Sequence, residues 1–70
     1  MTVIKVIELV GISEKNWQDA VDNAVQRAAK TIRNIQGVDV LSLTGKVENG
    51  EIVEYRANVK MSFTVEKIAG

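Results

Sequence analysis

The chain has 70 residues, nine Lys and Arg against nine Asp and Glu, and neither histidine nor cysteine. The balanced charge gives no electrostatic case for nucleic acid, the missing cysteine excludes disulfides and thiolate metal sites, and the missing histidine removes the commonest metal ligand and the usual general base near neutral pH. One domain, 1–70, is expected, so small that oligomerisation is the expected source of further burial.

The N-terminus, Met1 to Val6, shows no basic stretch followed by an apolar one, so no signal peptide is expected. No apolar run approaches the roughly 20 residues of a membrane-spanning helix. A cytoplasmic location without a membrane partner is the expectation. Thr2 to Val10 is β-branched and apolar on both faces, interrupted only by Lys5 and Glu8. A strand of that kind is usually covered on both sides, and in so small a domain another subunit is the expected second cover. Gly11 is expected to end the strand.

Ser13 is a good N-cap residue, and Glu14 behind it suits the positive end of a helix. Trp17, Ala20, Val21, Ala24, Val25, Ala28, Ile32 and Ile35 then recur at spacings of mostly three and four. This predicts an amphipathic helix of about six turns. Its stripe is rich in alanine, so its axis can lie close to a sheet. Trp17 opens the stripe, and packing is favoured over ligand stacking. Asn34 to Gly37 supplies the stop, with Gly37 expected as a left-handed residue or a strand entry.

Val38 to Val47 reads as a second strand, with Val38 and Val40 on one face and Asp39, Leu41 and Leu43 on the other. Asn49-Gly50 after Glu48 is the strongest short hairpin signal and matches a type I′ turn. From Ile52 to Val65 the odd positions are Val53, Tyr55, Ala57, Val59, Met61, Phe63 and Val65, and the even ones are nearly all polar. Such alternation predicts a strand with one dry and one wet face. At about 14 residues of roughly 3.4 Å it exceeds 40 Å, whereas a 70-residue globule has a radius of gyration near 11 Å. The excess must curl round something or reach a neighbouring subunit. The fold class is α+β, in the order β-α-β-β. It is a three-stranded antiparallel sheet partly wrapped round one amphipathic helix.

No catalytic constellation is visible. Ser13, Ser42 and Ser62 have no histidine to activate them, the carboxylates fall into no calcium-loop spacing, and there is no glycine-rich phosphate loop. The chain is not expected to be an enzyme. Arg56 lies mid-strand on a face that another subunit could cover, where it would need a carboxylate partner. Asp39 and Glu54 are candidates by position.

The β-α-β-β order, Val10-Gly11-Ile12 before Ser13, Ala24-Val25-Gln26-Arg27-Ala28 in the helix and Val59-Lys60-Met61-Ser62-Phe63 near the end together resemble the dodecin family, over essentially the whole chain. The resemblance implies twelve subunits in a hollow spherical shell of cubic symmetry. Dodecins are best known for storing flavins. In that family a Trp at the start of the second strand stacks on the isoalloxazine ring, and a Gln in the third strand bonds its polar edge. The matching positions here are Gly37 and Arg56. Glycine has no ring to stack, and an arginine only donates where a glutamine both donates and accepts. Trp17, at the far end of the helix, does not replace the missing ring. The pair Tyr55-Arg56 and the early Trp17 resemble the branch that lacks the flavin Trp, some of whose members bind calcium. The resemblance thus implies a non-enzymatic homododecamer that binds or stores a small ligand or a cation, with calcium a candidate and flavin disfavoured. A flavin store with a modified site and a purely structural oligomer are the alternatives.

Overall fold

The structure, a computed structural model, describes residues 2–66. Strand β1 is Thr2–Ser13, helix α1 is Trp17–Ala29, strand β2 is Ile35–Glu48 and strand β3 is Glu51–Glu66. The three strands form one antiparallel sheet in the order β1-β3-β2, so the long last strand is central. The helix lies across one side. The expected β-α-β-β order and the three-stranded antiparallel sheet are both present.

The Asn49-Gly50 turn has positive φ at both residues, 52° and 77°. Type I′ requires this, and Asn and Gly tolerate it. The strand then runs to 16 residues. The molecule measures 60 × 19 × 12 Å with a radius of gyration of 14.9 Å, well above the about 11 Å of a compact globule of this length.

Alanine sets how closely the helix approaches the sheet. Ala20, Ala24 and Ala28 recur every fourth residue and are buried against Ala57, Val59 and Met61 of β3. Ile7, Leu9, Val21, Val25, Ile32 and Ile35 pack around them. Gly11 completes the close approach, because a Cβ there would overlap the carbonyl oxygen of Ala20 and come within 3.0 Å of the Ala24 Cβ. Gly11 therefore does not end β1. It continues the strand to Ser13 and serves as the floor on which the helix rests.

The helix is shorter than its spacing predicts, at 13 residues. Ser13 is not its cap, because its hydroxyl is occupied elsewhere. It accepts from the Lys15 amide at 2.9 Å and donates to the Asp19 carboxylate at 2.6 Å. Asn16 caps instead, its side chain accepting from the Asp19 amide at 2.7 Å. At the other end the Thr31 and Ile32 amides both donate to the Ala28 carbonyl, and Asn34 (φ 63°) turns the chain. The left-handed residue is thus Asn34. Gly37 lies inside β2, which begins at Ile35. Ile32 and Ile35 contribute to the core without being helical.

The dry face of β3 is fully dry only where the helix covers it. Ala57, Val59 and Met61 are 0% exposed, Tyr55 and Phe63 are half-buried, and Val53 and Val65 are exposed. On β2 the expected alternation breaks. Val40 faces Val59 but Ser42 faces Asn58, so Leu41 is an extra residue. A bulge of this kind reverses the parity of all that follows. Leu43 accordingly joins Val38 and Val40 on the helix side, while Ser42 and Thr44 share the opposite side with Asp39. No helix among the described residues is long and apolar enough to cross a membrane.

Candidate functional site

The side of the sheet away from the helix has no cover among the described residues. On β1 it carries Ile4, Val6, Val10 and Ile12, each 48–55% exposed, with Glu8 among them. On β3 it carries Glu54, Arg56, Asn58, Lys60, Ser62 and Thr64. The register sets Glu8 and Asp39 on either side of Lys60, Ser42 beside Asn58, Thr44 beside Arg56 and Lys46 beside Glu54. An apolar edge thus runs along a polar ladder. The Asn58 amide nitrogen donates to the Ser42 hydroxyl at 2.7 Å. The Thr64 hydroxyl is buried with no partner among the described residues, while its amide donates to the Asn34 carbonyl at 3.2 Å.

Gly37 pairs with Ser62 on this open side. A Cβ at Gly37 would meet only the Ser62 hydroxyl, at 3.5 Å, so a side chain could be accommodated there. Arg56 lies six residues back along β3, about 20 Å away at about 3.4 Å per residue. One chain therefore does not bring Gly37 and Arg56 together, and a ligand touching both positions needs two copies.

Trp17 lies on the other side of the sheet. Its indole Nε1 donates to the Thr44 carbonyl at 2.9 Å, and its ring meets that of Tyr55 edge-on, 4.8 Å between centroids at 82°. Phe63 also belongs to the helix side, opposite Lys5 and Ile35. Among the described residues the open side therefore has no aromatic ring. Nor does any group of three or more Asp and Glu assemble, among the described residues, into a set that could hold a metal within one chain.

Arg56 has its carboxylate partner in Glu54, at 2.7 Å from Nε. Asp39, the other positional candidate, instead stands opposite Lys60. The side chains of Arg56 and Glu54 are 50% and 27% exposed, so within one chain this is a surface pair of modest worth. Thr44, Gly45, Lys46 and Arg56 line a recess of ≈ 340 Å³.

Lys46 was not singled out by sequence. Counting back from the turn sets Lys46 opposite Val53, away from Arg56. A second bulge overrides the count. Val47 faces Ile52, Lys46 faces Glu54, and Val53 is left over. This bulge moves Lys46 to the open side and Ile52 to the helix side, where its Cγ2 lies 3.3 Å from the Cβ position of Gly45.

Comparison with known proteins agrees with this architecture. The family model described as Dodecin matches residues 3–66. The dodecin of Thermus thermophilus is 32% identical over 65 residues, 93% of this chain and 94% of that protein. The calcium dodecin of Mycobacterium tuberculosis is 33% identical over 63 residues, 90% of this chain and 89% of that one. The crystal structure of that calcium dodecin, described as having a novel calcium-binding site, superposes with a TM-score of 0.81 at 29% identity, covering 97% of both chains. The dodecin structure from Streptomyces coelicolor superposes with a TM-score of 0.91 at 31% identity, covering 96% of both. With its element order, its alanine-lined helix and its long central strand matched over nearly its full length, the chain belongs to the dodecin family.

Proposed function

We propose that the chain is the single-domain subunit of a cytoplasmic, non-enzymatic shell of twelve copies that binds or stores a small ligand or a cation, and that flavin is not its principal ligand. The observation that carries this reading is the uncovered side of the sheet. Its apolar row, Ile4, Val6, Val10 and Ile12, stands half exposed in the isolated chain. The chain exposes 5346 Å², against about 4300 Å² for a compact monomer of its mass. Self-association is the simplest way to remove that excess from water.

The ligand reading rests on the same side. Gly37 offers no ring and Arg56 no acceptor at the positions where flavin-storing relatives use Trp and Gln. A relative that is a calcium dodecin favours a cation as one class of cargo. With no ligand set inside one chain among the described residues, a cation would be held by carboxylates contributed by several copies.

Native mass spectrometry of the purified protein tests the proposal. Twelve chains with an added mass are expected, and the added mass identifies the cargo. Twelve chains with nothing added would leave the shell standing and shift the reading to a weakly held cation or a structural oligomer, and a monomer or dimer would overturn the shell.

A further inference from the structure

We infer that Asn49 is a site of spontaneous covalent modification, at which the Gly50 amide displaces the amide of the Asn49 side chain and rebuilds the hairpin tip with a longer, more acidic backbone. The inference does not depend on the shell or on its cargo, since both groups belong to one turn.

The structure singles out Asn49 among the five asparagines of the chain. The Asn16 side chain is engaged as the helix cap, accepting from the Asp19 amide. The Asn23 amide nitrogen donates to the Ile12 carbonyl, and that of Asn58 to the Ser42 hydroxyl. Asn23 is followed by helix backbone and Asn58 by Val59, which is fully buried. Asn34 is followed by Ile35, whose β-branched side chain packs on the core. Asn49 has none of these restraints. Glu48 to Glu51 are all exposed, and neither the Asn49 side chain nor the Gly50 amide has a hydrogen-bond partner among the described residues. Gly50 has no Cβ to shield its nitrogen, and the space where one would stand holds no atom within 4 Å.

The groups supply a balanced reaction. Hydroxide removes the proton of the Gly50 amide, and the nitrogen attacks Cγ of Asn49. A carbon–nitrogen bond forms, the bond from Cγ to Nδ2 breaks, and ammonia leaves with a proton taken from water. The five-membered imide that remains is then opened by water. Attack at Cγ leaves aspartate, and attack at the backbone carbonyl leaves isoaspartate. Ring closure requires rotation about the Cα–C bond of Asn49. At a tip whose residues are all exposed, that rotation displaces no packed side chain.

The product disturbs what the turn holds in place. In isoaspartate the main chain runs through Cβ, so the loop between the strands gains a methylene. A two-residue type I′ turn has no room for it and fixes the register only at its proper length. Glu48 facing Glu51, and Val47 facing Ile52, are the pairs next to the tip. The new carboxylate also joins Glu48 and Glu51, and like charges directly opposite one another destabilise a ladder. Lys46, 3.5 Å from Glu48 in an exposed pair, offsets little of this.

Ageing the purified protein at physiological temperature, at neutral and mildly alkaline pH, tests the site. Peptide mapping by mass spectrometry, with separation of isoaspartyl from aspartyl peptides, reads the product. A synthetic peptide spanning 46–53 is the unfolded reference. Both products are expected at Asn49, at a rate within tenfold of that in the peptide and rising with pH, while the other four asparagines stay intact. Gly50→Ala should slow the reaction at least tenfold. Asn49→Gly, which keeps a residue suited to the turn and removes the reactive amide, should retain its urea midpoint on ageing, whereas aged wild type should unfold at lower urea. Asn49 left intact while the peptide converts, aspartate formed without isoaspartate, or faster conversion at another asparagine would overturn the proposal. An isoaspartyl chain with an unchanged urea midpoint would overturn the claim that the product disturbs the hairpin.

Discussion

Along the seam between β1 and β3, residue faces residue from Thr2 with Glu66 to Ser13 with Tyr55 without a single shift. The seam between β3 and β2 shifts three times, leaving Gln36, Leu41 and Val53 without a partner across it. The helix rests mainly on the regular seam, where Gly11 and Ala57 let it come close. The recess of Arg56 and Lys46, and the open position at Gly37, lie on the irregular one. Bulges re-aim side chains and end regular pairing, and they gather beside functional sites in sheets. In this small sheet the packing of the helix and the open recess thus fall on different seams, so each can be altered with limited damage to the other.

The strongest way to break the comparison acts on the regular seam. Gly11→Ala is expected to cost about 3 kcal/mol, because the new methyl group meets helix backbone that cannot move aside. Urea unfolding of the variant checks this, and an unchanged midpoint would show that the helix does not rest on β1. Next comes a gain on the irregular seam. Gly37→Trp has room for its side chain and should add flavin affinity by roughly the 1–3 kcal/mol of an aromatic stacking partner, read by quenching of flavin fluorescence. A folded, assembled variant that ignores flavin would place the obstacle at Arg56 or in the shape of the pocket. Trp17→Phe removes the donor to the Thr44 carbonyl and should cost about 1 kcal/mol, seen as a lower unfolding midpoint. Glu54→Gln should change the stability of the chain by less than about 1 kcal/mol, since its pair with Arg56 is largely solvated. A larger loss in the same unfolding experiment would mean that the pair is buried in the assembly.

Much of the fold is legible in the residues. The alternation of β3, the Asn49-Gly50 turn and the alanine stripe each have a local cause, and each element stands where that cause puts it. The bulges have no such local cause. Nothing in Leu41 or Val53 marks it as the residue that will lose its partner, so the faces of Leu43 and Lys46 depend on register that only the folded sheet fixes. The helix start departs from the expected Ser13 for a different reason. Ser13 and Asn16 can both cap, and the choice follows from Ser13 being held at the end of β1. At the candidate site, Arg56 and Glu54 are two residues apart on one strand and can be paired by alternation alone. Lys46 could not be added without the bulge, and the separation of Gly37 from Arg56 could not be read without the register.

The chain order of the two seams bears on how the molecule forms. β2 and β3 are joined by two residues and can pair early, with little closure entropy to overcome. β1 must wait for β3, its partner from the opposite end of the chain, and non-local pairing of this kind is slow. Docking of the N-terminal strand is therefore expected as the late, rate-limiting event. Until it occurs, β3 presents an unpaired edge that the first strand of another copy could fill. A folding protein at high concentration would then exchange β1 between chains, a route to intertwined dimers. In stopped-flow experiments Val6→Ala should slow folding, the signature of contacts made as the barrier is crossed.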